Sequence, residues 1–348
     1  MLFLIRLITA TFLFAFLAKA NIWLTPLSNI ILAFGYRVFL LLSPVLVFLS
    51  GRFAISSSML IATVGVTVFF LTDNHLMLAL GALLVAIGFS TNGYLIKIKA
   101  TETPKGAGYN KVAVNIGGIL SGILVIISTQ SKSLFFGISG FILFLITLST
   151  MLYYSSPTPI IFKFSKNIQI KKLVAWAAIG IAIGIKFFGV FTVLPQYLLQ
   201  HNKTLPDWYG AMLFLNGAIV VLFQIPIMHI FEKKSQQNIN IFILTLYLMI
   251  FGMVIISLPA MFNVNHLYGA IIWTILLSLI ECCSSYLDYT AAEKGYLLTK
   301  EISIGIGAGL TVLISRYFNA SLSPLILGGI GTLLIVFGFY HLKEHFKR

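Results

Sequence analysis

Three charged side chains that lie inside long apolar runs are the residues best suited to do chemistry. Lys186 and Arg37 fall near the middle of their runs, and Glu281 falls nearer to one end. A charge inside a bilayer is costly, so such residues usually face the interior of a helix bundle and serve binding or ion transfer. At 1.5 Å per residue, Lys186 would lie about 20 Å and Glu281 about 10 Å from the lysine-rich membrane face.

Each charge has a functional and a structural interpretation. Glu281 is a candidate proton carrier, because a carboxyl group in an apolar site can exchange a proton near neutral pH. It could instead only pair with a lysine. Lys186 is a candidate contact for substrate or counter-ion, or a lysine whose stem packs on apolar surface while its head finds a carbonyl or carboxylate. Arg37 is either a functional residue or a structural arginine, and Asp288 fits a residue at the membrane boundary.

Uncharged polar residues inside the runs form a weaker set of candidates. Any of them could line a substrate pathway or hydrogen-bond one helix to another. They are Asn92, Tyr94, Asn115, Gln196, Tyr197, Asn216 and Gln224.

Motifs for other chemistries do not appear. The six histidines are scattered without metal-ligand spacing. Cys282 and Cys283 are adjacent, and neighbours in a helix point about 100° apart, which argues against a disulfide between them. The glycine-rich stretch 305–309 lies inside an apolar run with no strand before it, so close helix contact is favoured over a nucleotide loop. We therefore expect no enzyme, no cofactor and no metal.

The composition places these residues in a membrane protein. The chain has 348 residues, 59% hydrophobic and 9% charged, whereas soluble domains carry about a quarter charged residues. Lipid must therefore cover much of its surface. The net charge of +14 is distributed between apolar runs, which is typical of loops that fix membrane topology and not of a nucleic-acid-binding face.

The apolar runs predict an all-α integral membrane protein with twelve transmembrane helices. Each run approaches the ~20 residues that a helix needs to cross the hydrocarbon core. The predicted spans are 2–20, 28–50, 56–72, 76–96, 110–130, 134–154, 173–195, 208–231, 239–260, 267–288, 301–318 and 322–341.

The distribution of Lys and Arg predicts that both termini are cytoplasmic. Of the 23 basic residues, 17 then fall on the inner side and 4 on the outer side, with Arg37 and Lys186 inside spans. Arg6, Lys111 and Lys300 are counted among the inner charges. Such a bias is the usual signal of orientation. The predicted location is the cell membrane, most simply a bacterial inner membrane.

The sequence predicts two halves of six helices each. Residues 155–172 form a basic, proline-containing break that separates a half at 1–154 from a half at 173–348. Shifting the sequence by 182 residues brings Gly35 onto Gly217, Pro44 onto Pro226 and Arg52 onto Lys234. Weak internal repetition of this kind is a mark of secondary transporters.

Several stretches resemble the major facilitator superfamily, and its drug-antiporter-like branch in particular. The resemblance covers the whole layout but rests on four segments, which look like helices 5, 7, 8 and 10 of that family. They are YNKVAVNIGGILSG (109–122), GVFTVLPQYL (189–198), YGAMLFLNGAIVVLFQIPIMHIFEKK (209–234) and SLIECCSSYLDYTAAEKGYL (278–297).

The resemblance implies a fold and a site. In that family, spans one, four, seven and ten line a central cavity, which would place Lys186 and Glu281 on the same cavity. The chain departs from the family in the loop after span two, VFLSGRFAISS (47–57). Arg52 matches the pattern, but Gly51 stands where an aspartate of the inner gate is usual. Gating in this chain could therefore differ.

The leading hypothesis is a monomeric secondary transporter that moves a small organic solute by alternating access, with proton-coupled efflux as the favoured mode. The spans contain two basic residues at mid-depth, Arg37 and Lys186, and one acidic residue, Glu281. This excess of positive charge favours an anionic or zwitterionic substrate. The expected partners are this solute, protons and lipid, without nucleic acid. The alternatives are a metabolite uptake permease, and a transporter-like sensor or membrane enzyme that does not transport.

Overall fold

A computed structural model describes most of the chain, and the described part contains helices and no strands. It covers residues 1–127, 131–153, 160–162, 169–189, 193, 198, 207–234, 245–254, 256, 267–319 and 322–343. The helices fall into two units. Unit one comprises Met1–Ala100 with Val112–Phe162, and unit two comprises Thr101–Lys111 with Lys163–Arg348.

The helices of unit one follow the first six predicted spans. They are α1 (Leu2–Trp23), α2 (Pro26–Val38), α3 (Ser43–Ser50), α4 (Ala54–Leu71), α5 (His75–Ala100), α6 (Pro104–Ile127) and α7 (Lys132–Tyr153). The start of α6, up to Lys111, is assigned to unit two.

The helices of unit two correspond to the remaining spans, within the residues described. They are α8 (Ile170–Phe188), α9 (Asp207–Lys234), α10 (Thr245–Val254), α11 (Leu267–Glu293), α12 (Leu297–Tyr317) and α13 (Leu322–Leu342).

Six stretches of the described chain are long and apolar enough to cross a membrane. The expectation of an all-helical protein that passes the membrane several times is therefore confirmed, while the total of twelve spans and the cytoplasmic termini stay predictions. The stretches are Ile30–Leu71, His75–Ala100, Lys132–Leu152, Phe214–Phe231, Leu297–Tyr317 and Leu322–Leu342.

The second predicted span is helical but not uniform. A 3₁₀ turn at Phe39–Leu42 separates α2 from α3, and Pro44 lies in the first turn of α3. Proline has no amide hydrogen and its ring crowds the carbonyl four residues earlier, so the α-helical ladder cannot run through this point. The tighter turn carries the chain across the break.

Aromatic rings and glycines build the core of unit one. The rings of Phe16, Phe135 and Phe136 lie 5.2–5.7 Å apart in pairs, a spacing typical of favourable edge and tilted contacts. Gly65 and Gly88 let α4 approach α5 so closely that a Cβ at either position would overlap backbone of the other helix. Small residues at such contacts are the usual means of packing helices in membranes.

The core of unit two joins α8 to α12 and α13. Gly180 and Gly184 lie one turn apart on α8, and a Cβ on them would overlap the carbonyl oxygens of Lys300 and Ile304 on α12. Gly307, in the glycine-rich stretch of α12, meets the carbonyl of Ile181 in the same way. The prediction that these glycines serve helix contact is confirmed at Gly307.

A tight turn connects α11 to α12 and fixes where the second helix begins. Gly295 has φ +79°, and the amides of Gly295 and Tyr296 donate to the carbonyls of Ala292 and Ala291. This is the Schellman arrangement that ends many helices, and its left-handed residue is usually glycine. The turn sets the register of α12, which begins two residues later at Leu297.

Candidate functional site

Three charged side chains meet inside unit two. Glu281 on α11 lies with one carboxylate oxygen 3.3 Å from Nζ of Lys111, near the start of α6. Its other oxygen is 3.9 Å from Nζ of Lys186 on α8. The exposed fraction of the side chain is 6% for Glu281, 4% for Lys186 and 20% for Lys111. The carboxylate is thus held between two ammonium groups in a nearly dry environment.

The structure brings together two residues that the sequence placed at different depths. Lys186 and Glu281 were expected about 9 Å apart along the membrane normal, and their long side chains span that difference. Lys111 completes the group, which we call the 111–186–281 cluster. The Nζ of Lys111 also lies 6.0 Å from the ring centre of Phe187, within the range of a cation–π contact.

A polar residue from α9 extends this cluster. Asn216 interacts with the Glu281 carboxylate, and its Oδ1 accepts a hydrogen bond of 2.9 Å from Ser278 on α11. One turn of α11 therefore carries both the charged residue and the serine that orients its amide neighbour. The sequence named Asn216 as a pathway residue, and the structure places it beside the charges.

Gln224 serves helix packing in the structure. Its Nε2 donates to the backbone carbonyl of Cys282 at 3.1 Å, and its Oε1 accepts from Ser285 at 3.2 Å. Both ends of the amide are used, and the residue is fully buried. Gln224 thereby fastens α9 to α11 in the turn that follows Glu281, which helps to hold the cluster in place.

The arrangement can perform two kinds of chemistry. Two lysines and one glutamate leave a formal charge of +1, so the cluster favours an anionic group nearby. The glutamate is also the one member that could release its lysine contacts on taking up a proton. Protonation would remove the attraction to both ammonium groups, so a proton and an anion could be exchanged at one place.

A second buried cluster lies where α11 meets α12. Lys300 has a side chain that is 1% exposed, and its Nζ pairs with Asp288 and, at 2.9 Å, with Glu301. Asp288 was expected as a residue at the membrane boundary, and Lys300 as a loop charge. In the structure they form an ion pair inside the unit, with a formal charge of −1 over the three residues.

Three of the candidates lie on three different helices of unit one, α2, α5 and α6. Arg37 is half-buried in the last turn of α2, and its guanidinium lies 5.2 Å from the ring centre of Tyr36. Tyr94 is buried with its ring 6.3 Å from Phe162, and Asn115 is half-buried on α6.

Asn92 has the packing role that the alternative interpretation offered. Its Nδ2 donates to the carbonyl of Ile55 at 3.2 Å and to the hydroxyl of Ser58 at 3.0 Å. The amide therefore ties α5 to α4 within the core of unit one. Gln196 and Tyr197, the remaining candidates, lie outside the described residues.

The loop after α3 explains why glycine occupies position 51. Gly51 has φ +52° and ψ −123°, a region that residues with a side chain rarely adopt. The aspartate that the family pattern has there would be strained in this backbone. Arg52 follows in a 3₁₀ turn with its guanidinium 5.2 Å from the ring centre of Phe53, and it is exposed.

The sequence missed three basic residues that point into the helix bundle: Arg6, Lys111 and Lys300. All three lie within one or two turns of a helix end and were counted as loop charges. Their positions could have identified two of them, since Arg6 and Lys111 fall inside the predicted spans 2–20 and 110–130 and not in the loops. Among the described residues, no group of three or more His, Cys, Asp or Glu could hold a metal ion.

Comparison with known proteins gives no match by sequence, since no family model and no curated protein matches the chain. Solved structures do match. The human organic anion transporter MFSD10 (TETRAN) superposes with a TM-score of 0.72 at 13% identity, over 97% of each chain. The E. coli fucose:proton symporter FucP gives 0.68 at 13% identity, again over 97% of each chain.

A peptide transporter, POT, gives a TM-score of 0.67 at 12% identity, over 100% of this chain and 94% of that one. Three transporters thus share the architecture along nearly their whole length. The chain has the major facilitator fold. At 12–13% identity the likeness establishes the fold, and the role of each site residue has to be argued from its own contacts.

Proposed function

We propose that this chain is a secondary active transporter that moves a small organic solute across a membrane by alternating access. The proposal is supported by the major facilitator fold, shared with transporters over nearly the whole chain. Two six-helix halves would rock about a central site, which is how repeat-built transporters work. The division of the halves near residues 155–172 is part of the proposal.

The 111–186–281 cluster is the observation that carries the proposal. Burying charge in a membrane protein is costly, so a cluster of charged side chains inside the helices is a candidate functional site, and the formal charge of +1 makes this one suited to an anion. Here Glu281 is nine-tenths buried and touches two lysines from two other helices. A group of this kind can change partners when a proton or a solute arrives, which a purely apolar contact cannot do.

Proton-coupled efflux is the proposed mode of transport. Protonation of Glu281 would weaken its attraction to Lys111 and Lys186, and deprotonation would restore it. A solute that competes with Glu281 for the lysines then exchanges with the proton. We propose that the solute leaves the cell because segments 209–234 and 278–297 resemble the drug-antiporter-like branch.

The proposed substrate is a small organic anion, or a zwitterion that presents an anionic group. The formal charge of +1 on the cluster, with a lysine on each side of the carboxylate, favours negative groups. Ammonium donors bind carboxylate and phosphate oxygens strongly in sites from which water is excluded.

Counterflow in proteoliposomes tests this function. A panel of small organic ions is first screened by thermal shift, since a ligand of the folded form raises its melting temperature. Proteoliposomes loaded with the best ligand should then take up the same compound in labelled form, and protein-free liposomes should not. A compound that stabilises the protein but never exchanges would contradict transport and favour a sensor.

The direction is measured separately, with an imposed proton gradient in the same vesicles. Efflux coupled to protons predicts that the labelled anion moves against the direction of proton flow. Movement of both in the same direction would instead identify an uptake symporter, the alternative function.

A further inference from the structure

Arg6 is a charged residue inside unit one that the proposed site does not use. It lies four residues after the start of α1, about 6 Å along the helix axis. Its guanidinium packs on Gly93 of α5, where a Cβ would overlap Nη1 and stand 3.3 Å from Cζ. The head group therefore turns toward the neighbouring helix and does not extend along α1 to the membrane surface.

The hydrogen-bonding capacity of Arg6 is not used up by the protein. Its Nε is buried and has no hydrogen-bond partner in the structure. The side chain as a whole is half-buried, and withdrawing a guanidinium cation partly from water without a counter-charge costs free energy. A ligand that brings negative charge to this place would remove that cost.

Unit one has almost no acidic residue to pair with Arg6. Asp73 is the single Asp or Glu in Met1–Ala100 and Val112–Phe162. Its side chain is 91% exposed and pairs with Lys132 at the far end of α4. In unit two, by contrast, the buried lysines of both clusters have carboxylate partners.

Two neighbours of Arg6 suit the binding of an oxygen anion. The Tyr36 hydroxyl lies 3.4 Å from the position that a Cβ of Gly93 would occupy, so a second donor stands beside the guanidinium. The absence of a side chain at Gly93 leaves room for the guanidinium against α5. An arginine fork and a phenolic hydroxyl together match the two oxygens of a carboxylate.

We propose that Arg6 and Tyr36, set against Gly93, form a binding site for the carboxylate of an organic acid within unit one. The proposal rests on the proposed function, because the organic acid would be the transported solute. An anionic phospholipid headgroup offers the same chemistry, and the test has to tell the two sources apart.

The test compares carboxylates with their neutral carboxamides on the purified full-length protein in detergent. Benzoate with benzamide and lactate with lactamide are suitable pairs, because each pair has almost the same shape. We expect at least one carboxylate to raise the melting temperature of the wild type while its carboxamide does not. Arg6→Gln should weaken its binding about ten-fold or more, the size expected for a lost charge-assisted hydrogen bond.

Three variants separate recognition from misfolding. Arg6→Lys should fold and keep part of the response, since it retains the charge but not the fork. Gly93→Ala should reduce the response with the arginine still present, because the new methyl group displaces the guanidinium. The control Arg316→Gln, at an exposed arginine of α12, should respond as the wild type does.

Several results would overturn the proposal. One is that no carboxylate stabilises the wild type more than its carboxamide. Another is an equal response in wild type and in both Arg6→Lys and Gly93→Ala. A third is stabilisation by phosphatidylglycerol but not by phosphatidylcholine, lost in these variants, with no effect of any carboxylate, which would assign the site to lipid. Counterflow of a neutral solute alongside any of these results would leave the transport function intact.

Discussion

At the scale of residues, the described part of unit two contains two clusters of buried charges with opposite formal sign. The 111–186–281 cluster carries +1 and the Lys300–Asp288–Glu301 cluster carries −1. The first has an excess of donors and suits an anion. The second has an excess of carboxylate around a lysine that is almost fully enclosed, which suits a structural role at the turn between α11 and α12.

That structural role predicts the effect of removing Lys300. Lys300→Gln should lower the free energy of unfolding by about 3–5 kcal/mol, because Asp288 and Glu301 lose their buried cation. Thermal unfolding of the purified protein in detergent measures the loss. The control Lys294→Gln removes the same charge at a half-buried position of the same turn and should change the melting temperature little. Equal melting temperatures for the two variants would contradict the assignment.

Which charges matter was only partly predictable from the sequence. Lys186 and Glu281 stood out because they lie well inside the predicted spans 173–195 and 267–288. Arg6, Lys111 and Lys300 were missed because a basic residue near a helix end normally extends to the membrane surface. Only the packing of the neighbouring helix shows that these three turn inward. For Gln224 and Asn92, the sequence alone could not decide between a pathway role and a packing role. Their hydrogen-bond partners show that both residues join one helix to another.

At the scale of elements, glycines set how closely the helices approach. On α8, Gly180 and Gly184 face backbone carbonyls of α12, and Gly307 of α12 faces back toward α8. The position of Lys186 two residues beyond Gly184 makes this contact relevant to the site. Any separation of α8 from α12 would move Lys186 relative to Glu281.

Gly184→Ala tests this contact. Alanine is normally about 1 kcal/mol better than glycine in a helix, but here its methyl group would overlap the Ile304 carbonyl. Backbone cannot give way as a flexible side chain can, so we expect a net loss of about 1–3 kcal/mol. The matched control is Gly329→Ala on α13, where nothing lies within 4 Å of the added methyl group. Its melting temperature should stay level or rise, and a fall as large as that of Gly184→Ala would refute the explanation.

At the scale of the whole molecule, the apolar runs were sufficient to predict a helical membrane protein. The length and apolar character of a helix in lipid are set by the bilayer, so they can be read without knowing any contact. The break at Phe39–Leu42 lies next to Pro44, and it has a local cause because proline cannot continue the hydrogen-bond ladder. The assignment of Thr101–Lys111 to unit two was not foreseeable, because it depends on tertiary contacts.

Glu281 is the residue that we propose couples proton movement to solute movement. In proteoliposomes, the measurement compares accumulation driven by a pH gradient with counterflow at equal pH, for wild type and Glu281→Gln. Glutamine keeps the shape of the side chain but carries no exchangeable acid. The exposed control Asp73→Asn removes a carboxylate elsewhere and should behave as the wild type does. We expect Glu281→Gln to lose gradient-driven accumulation while counterflow persists. Intact pH-driven accumulation in Glu281→Gln would contradict the claim.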